Sequence, residues 1–302
     1  MSHAITYARY GGPDVLTLTE VDAPGPGQGQ VRIRVRAAAV NPIDLKLRSG
    51  RMAGARPAEF PAHPGLDVAG VVDGAGPGAG AAVGDEVLGS AVGGGYGEYA
   101  LLDQPFAKPA EISFETAAAL VTVGETAYRG LRQLDVQPGE TLLVHGAGGS
   151  VGTVAVQLAV ARGITVVATA GEPDLQRLTA LGARAVRYGD GWVERVEAAA
   201  PQGVGRVFDT SGAGVLAESV ALTGDPARVI TIADMDAARH GVRFSAGGPT
   251  NRFPQAIPEL ARLAAAGRLD LPIGATYPLA EAARAHADIE ARRTRGKVVL
   301  LP

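Results

Sequence analysis

The 302-residue chain contains no cysteine. That excludes disulfides and every zinc or iron–sulfur site built on thiolates. Lysine is nearly absent too, occurring only at positions 46, 108 and 297, and arginine supplies the rest of the basic charge. The 28 basic and 31 acidic residues leave a net charge of −3, with no run or stripe of one sign to favour nucleic acid or an anionic membrane. No uninterrupted apolar stretch reaches the roughly 18 residues of a membrane span. The opening MSHAITYARYGG has neither the basic start nor the apolar core of a secretion signal, so a cytoplasmic protein is the expectation. No tyrosine is followed four residues later by lysine, so the Tyr-x-x-x-Lys pair of short-chain reductases is missing as well.

What remains is a glycine-rich chain, 46% hydrophobic, long enough for two domains that each bury a core. The first part reads as β structure. VLTLTEV and QVRIRVRAAAV alternate with period two around the turn DAPGPGQG, and short strands follow at DVAGVVDG, DEVLGSAV and GEYALLD. Strands this short and close predict a compact barrel-like domain. Near Ser113 the period changes to helical, opening on a capping-box signature with Ser113 and Thr116 as candidate caps. Strand and helix patterns then alternate: TLLVH, ITVVATA, RAVRY, GRVFDTS and RVITIA are strands, with helices beginning near Gly149, Pro173, Gly191 and Gly214. That alternation predicts an α/β fold with a parallel sheet covered by helices. The tail adds two helical stretches and a last strand, GKVVLLP.

TLLVHGAGGSVGTVAVQLAVARG (141–163) holds the most informative spacing. It follows a strand and opens a helix, as a dinucleotide phosphate loop does, but its glycines read G-x-x-G-x-x-G rather than G-x-G-x-x-G. Gly146 suits a tight exit from the strand, and Gly148 or Gly149 a close backbone approach to a diphosphate. Gly152 suits close packing of helix on sheet, and the helix N-terminus adds free N–H groups. Ala147, Ser150 and Val151 complete the candidate loop. A plain tight turn is the competing reading. The next strand ends in Thr169, Ala170 and Gly171, without the acid that usually marks NAD, so NADPH is favoured over NADH. Arg177, Arg187 and Tyr188 are candidate phosphate partners and equally ordinary surface residues. Thr210 and Ser211, with Ile232 and Ala233 on the next strand, lie at strand ends where open α/β sheets bind ligands. His145, His240 and His286 are too dispersed for a metal cluster, and no metal is expected.

Seven segments in order resemble one family: YGGPDVL, AAAVNPIDLKLRSG, HPGLDVAGVV, TVGETAYRGL, HGAGGSVG, ALGA and RGKVVL. The chain is thereby similar to the medium-chain dehydrogenase/reductases, and within them to the zinc-free quinone oxidoreductase group. The resemblance implies a GroES-like catalytic domain over 1–113, completed by 268–302, and a Rossmann domain over 114–267. It accounts for the glycine spacing and places PGLDVAG where zinc relatives carry G-H-E-x-x-G. His63 then reads as a turn residue.

It further implies Asn41 at the cleft as a donor to cofactor or substrate, the alternative being a buried loop asparagine. Asp44 reads as fixing this loop, and Lys46 as polarising a substrate oxygen, meeting a phosphate, or simply being exposed. Thr126 matches a nicotinamide-contacting position, with Thr122 one turn earlier on the same face. Tyr188 and Arg292 loosely match holders of the 2′-phosphate, but the group's usual lysine there is replaced by Asp174. Without a metal or an acid–base pair to neutralise an alkoxide, quinones and α,β-unsaturated carbonyls are the expected acceptors. An enoyl reductase serving a biosynthetic pathway and a non-catalytic NADPH-sensing protein are the alternatives. A homodimer is expected from the resemblance alone.

Overall fold

The structure is a computed structural model in which residues 1–248 and 251–302 are described. It divides into two units, 1–122 with 257–302 and 123–256.

The first unit opens with the antiparallel pair β1 (Ser2–Thr6) and β2 (Thr17–Val21). Then come β3 (Val31–Val40), the short helix α1 (Pro42–Arg48), β4 (Asp67–Ala75), β5 (Glu86–Val92), β6 (Tyr99–Leu102) and β7 (Phe106–Ala107). In β3 the arginines alternate outward against Val31, Ile33 and Val35, and the following AAAV is wholly buried. The strand thus passes from a half-solvated face into the interior. β4 crosses it closely: a Cβ at Gly70 would lie 2.2 Å from Arg34 O, beside a register shift between Val35 and Ala37. Only glycine allows that approach. β3 also pairs with β6, which closes β3, β4, β5 and β6 into a small barrel around Ile33, Val68 and Leu102.

Helix α2 (Phe114–Leu134) runs through the first boundary, with Thr122 in one unit and Val123 in the other. The change of period at Ser113 therefore marks where a helix starts, nine residues before the units divide.

The second unit continues through β8 (Thr141–His145), α3 (Ser150–Ala161), β9 (Thr165–Ala170), α4 (Glu172–Ala180), β10 (Arg184–Arg187) and α5 (Trp192–Ala199). β11 (Arg206–Asp209), α6 (Leu216–Thr223), β12 (Val229–Thr231) and the two-residue β13 (Arg243–Phe244) complete it. Its six strands are all parallel, in the order β10-β9-β8-β11-β12-β13. Counted from β8 this is 3-2-1-4-5-6, the doubly wound Rossmann order, with its switch point between β8 and β11. β8 is buried at every residue, as a central parallel strand must be. On one face α2 comes close enough that a Cβ at Gly130 would meet the Phe208 ring at 2.3 Å.

The chain returns to the first unit with α7 (Ile257–Ala265), β14 (Ile273–Pro278), α8 (Ala282–Glu290) and β15 (Lys297–Leu301). β15 pairs antiparallel with β3 and parallel with β14, so the tail extends the barrel's sheet. The tail joins this unit from Ile257, earlier than the 268 expected, because α7 groups with it. Among the described residues no helix is long and apolar enough to cross a membrane.

Candidate functional site

In the second unit the glycine loop leaves β8 at the switch point. Gly146 takes a left-handed φ of +69°, and a Cβ there would crowd Thr210 Oγ1 at 2.9 Å. A Cβ at Gly152 would come 2.6 Å from Gly146 O, so α3 packs directly on the loop backbone. Both glycines are needed sterically. Gly148 is different: its missing Cβ leaves room for the Asp174 carboxylate, 2.7 Å from where that Cβ would be. Gly149 is the exposed N-cap of α3 and has no side-chain cap, with its own carbonyl accepting from Thr153 N. The first-turn N–H groups of Ser150, Val151 and Gly152 therefore lack intrahelical partners, at the positive end of a twelve-residue helix. Ala147 is buried and donates to Thr169 O. These features fit a diphosphate of a dinucleotide; the Asp174 carboxylate on one flank does not attract one.

Neighbouring strand ends are held by side chains. Asp209, fully buried at the end of β11, accepts from Ser211 N and Oγ at 2.9 and 2.6 Å, from Gly212 N and from Thr231 Oγ1 at 2.7 Å. Thr210 Oγ1 donates to His145 O, while Thr231 Oγ1 accepts from Ala233 N and Asp234 N. Ile232 N donates to Asp209 O. The hydroxyls of Thr210 and Ser211 and the N–H groups of Ile232 and Ala233 are thus spent on shaping the rim. His145 bonds Thr169 Oγ1 and Ser219 Oγ and sits edge-on to Trp192. Burial lowers its pKa to about 4, so it is neutral near pH 7. Thr169 consequently points at His145.

At the end of β9, the exposed Tyr188 ring lies against Gly171, 3.4 Å from where a Cβ would be. Arg177 donates to Thr153 Oγ1, Gly148 O and Asp174 Oδ1. Thr126, on the second unit's part of α2, accepts from Arg129 Nη2. Arg292 belongs to the first unit, exposed just after α8 at a φ of +54°.

The first unit gathers a buried polar cluster around Asn41. Asn41 is 1% exposed. Its amide donates to Asp67 Oδ2 at 2.9 Å and accepts from Lys297 Nζ at 2.7 Å, so both ends are committed inside the protein. Lys297 also donates to Val40 O. Asp67 further accepts from Thr122 Oγ1 and N at 2.7 and 3.0 Å, which spends the Thr122 hydroxyl here. Asp44 Oδ2 accepts from Asn41 N at 2.8 Å and from Tyr96 OH at 3.1 Å, fixing the start of α1. His286 Nε2 lies 3.3 Å from the same Tyr96 oxygen. The Arg48 guanidinium, one turn after Asp44, is buried and paired with Glu290. Lys46 is half-buried on α1 and His63 is exposed in a loop.

Burial dominates the electrostatics of this cluster. It pushes the Asp44 carboxyl up to about 7 and raises Asp67, while lowering Lys297 against the pull of both carboxylates. His286 falls to about 3, chiefly by burial, with the Arg48 charge adding to it. Among the described residues Asp44 Oδ1, Arg48 Nε and Nη1 and His286 Nδ1 have no protein partner, the condition that internal water meets. Asn41 and Asp44 are thus engaged within the protein, with Asp67, Tyr96, His286 and Lys297 as the neighbours that sequence reasoning missed. Two signals existed: the acid of Asp67 opening the apolar run 68–72, and one of three lysines opening the last strand.

Among the described residues no group of three or more His, Cys, Asp and Glu is placed to hold a metal ion.

Comparison with known proteins adds an independent line. A family model for the alcohol dehydrogenase GroES-like domain matches residues 27–113, and one for zinc-binding dehydrogenases matches 181–300. The chain is 35% identical to the quinone oxidoreductase of Lama guanicoe, over 100% of this chain and 98% of that protein. It superimposes with a TM-score of 0.87 on the Escherichia coli quinone oxidoreductase complexed with NADPH, at 27% identity, covering 99% of this chain and 100% of that one. A structure described as an NAD-dependent alcohol dehydrogenase also matches, with a TM-score of 0.87 at 31% identity over 99% of both chains.

Proposed function

The chain belongs to the medium-chain dehydrogenase/reductases, in their zinc-free quinone oxidoreductase group, and from that premise we propose an NADPH-dependent reductase of quinones or α,β-unsaturated carbonyl compounds. The observation that carries the cofactor half is the uncapped start of α3 at the sheet's switch point, where Gly149 leaves the backbone open. Ser150, Val151 and Gly152 would hold the diphosphate by their N–H groups. The strand-end segments 209–212 and 231–233, fixed by Asp209 and Thr231, are the candidate walls for the remainder of the nucleotide.

Bound reduced nicotinamide supplies a hydride; the protein's task is to hold donor and acceptor and to keep competing water out. A conjugated acceptor suits a chain in which Asn41, Asp67 and Lys297 are all engaged with one another. Such an acceptor would take that hydride, spread the charge over its oxygen, and need only a proton from water to become the hydroquinone or saturated carbonyl. Asn41 and Asp44 act here by fixing the backbone between β3 and α1. One matching structure is described as NAD-dependent, which supports NADH as the second nucleotide to test.

The experiment is a panel of quinones and enones offered with NADPH or NADH, followed at the nicotinamide absorbance. Oxidation with at least one acceptor is expected. Tight nucleotide binding with no turnover across the panel would refute the enzymatic reading and favour a nucleotide-sensing protein.

A further inference from the structure

The charges beside the glycine loop are not those a phosphorylated nucleotide would select. Asp174 lies in the first turn of α4, three residues beyond the strand-end Gly171. Its Oδ2 rests on the glycine loop, 2.7 Å from where a Cβ at Gly148 would be, and its Oδ1 accepts from Arg177 Nη2 at 3.1 Å. Arg177 reaches the loop, and its donors already go to Gly148 O, Thr153 Oγ1 and Asp174. Glu172 adds a second carboxylate in the same turn. Together Glu172, Asp174 and Arg177 carry a formal charge of −1, beside a strand end made neutral by Thr169, Ala170 and Gly171. The positive end of α4 is thus already answered by its own acids.

We propose that Asp174 sets the choice between the two nicotinamide nucleotides. Its carboxylate on the glycine loop would repel a phosphate on the adenosine ribose and accept hydrogen bonds from an unmodified ribose diol, so the preference for NADPH is narrowed and NADH binds within about tenfold of it. The inference rests on the cofactor reading above and concerns only which form is preferred. Asp174 and Arg177 are about three-tenths exposed, at 28% and 29%, so water and salt screen the repulsion. An effect of about tenfold in affinity is the scale expected for one charge in such a setting.

Dissociation constants for NADPH and NADH, from nicotinamide fluorescence on the full chain at low and high salt, test it. The wild-type protein should bind the two within about tenfold of each other. Asp174→Asn should tighten NADPH about tenfold more than NADH, and added salt should shrink that difference. Arg177→Ala, which leaves Asp174 uncompensated, should weaken NADPH more than NADH. Unchanged melting temperatures would place the effects in binding. A wild-type preference for NADPH beyond about 100-fold overturns the inference, as does a ratio unmoved by Asp174→Asn. Binding of neither nucleotide overturns the cofactor reading itself, and this inference with it.

Discussion

The glycine loop of the parallel-sheet unit and the Asn41 cluster of the barrel unit use polar groups in opposite ways. The loop leaves them open: Gly149 is exposed, and the N–H groups of Ser150, Val151 and Gly152 have no partner within their helix. The cluster closes them: Asn41, Asp67 and Lys297 satisfy one another inside a sheet where each is at most 3% exposed. Open groups store no stability and are available to a ligand. Closed groups offer little to a ligand but fix the local backbone, because each becomes costly once its partner is removed. Damage to the first should therefore be read as lost affinity, and damage to the second as lost stability.

The largest effect expected is in the cluster. Asp67→Ala removes the acceptor of Asn41 Nδ2, Thr122 N and Thr122 Oγ1, and leaves Lys297 without the stronger of the two carboxylates that favour its charged form. Breaking a buried charged network on one side costs about 3–5 kcal/mol. Lys297→Met should cost a similar amount, and the double variant less than the sum of the singles. Urea unfolding measures all three. Strict additivity, or a loss below about 1 kcal/mol, would mean that the cluster is not a closed network.

Next comes the loop, with the opposite signature. Gly149 has an extended backbone, φ −76° and ψ 164°, and the one close neighbour of a Cβ there would be Gly146 O at 3.3 Å, a contact that a shift of a few tenths of an ångström relieves. Aspartate is a favoured N-cap in that conformation, so Gly149→Asp should fold with an unchanged or slightly raised melting temperature. Its carboxylate would take the position of the diphosphate and occupy the free N–H groups. Nucleotide affinity should fall by at least about 100-fold, near 2.7 kcal/mol. Unchanged affinity in a folded variant would remove the loop from the binding site.

The same contrast decides what the amino-acid sequence could reveal. Alternation in QVRIRVRAAAV and the strand–helix rhythm after Ser113 are local patterns, and the elements they predict are present. The requirement at Gly152 is local as well, because the atoms forbidding a Cβ there belong to Gly146 and Ala147 of the same loop, whereas Gly146 is crowded by Thr210 and Ser211 from a distant strand end and is marked only by its place in the glycine spacing. The cluster is not local. Asp67 is 26 residues from Asn41 and Lys297 is 256, so no spacing rule links them. Arg177 shows a further limit: its charge was legible, but not that Asp174, Gly148 and Thr153 would engage it. Short edge strands such as β13, two residues long, carry too few residues to display a period.

The smallest effect expected tests whether the cluster is closed to water and protons too. His145 and His286 are held neutral, with pKa values lowered to about 4 and about 3, so their contribution is lost as pH falls below 6.5 through those values. Asp44 runs the other way. Its carboxyl is raised from 3.8 to about 7, so its contribution is complete below pH 3.8 and lost as pH rises through 7. Between pH 4 and 6.5 the two histidines lose stability on acidification while Asp44 regains it. Asp44→Asn keeps an oxygen to accept from Asn41 N and Tyr96 but removes the compensating titration. The variant's stability should therefore fall more steeply with acid, by up to about 1 kcal/mol per pH unit, in urea unfolding series across that window. Parallel curves for the two proteins would show that Asp44 is ionised throughout, which requires water reaching its unpartnered Oδ1 and a cluster open to solvent after all.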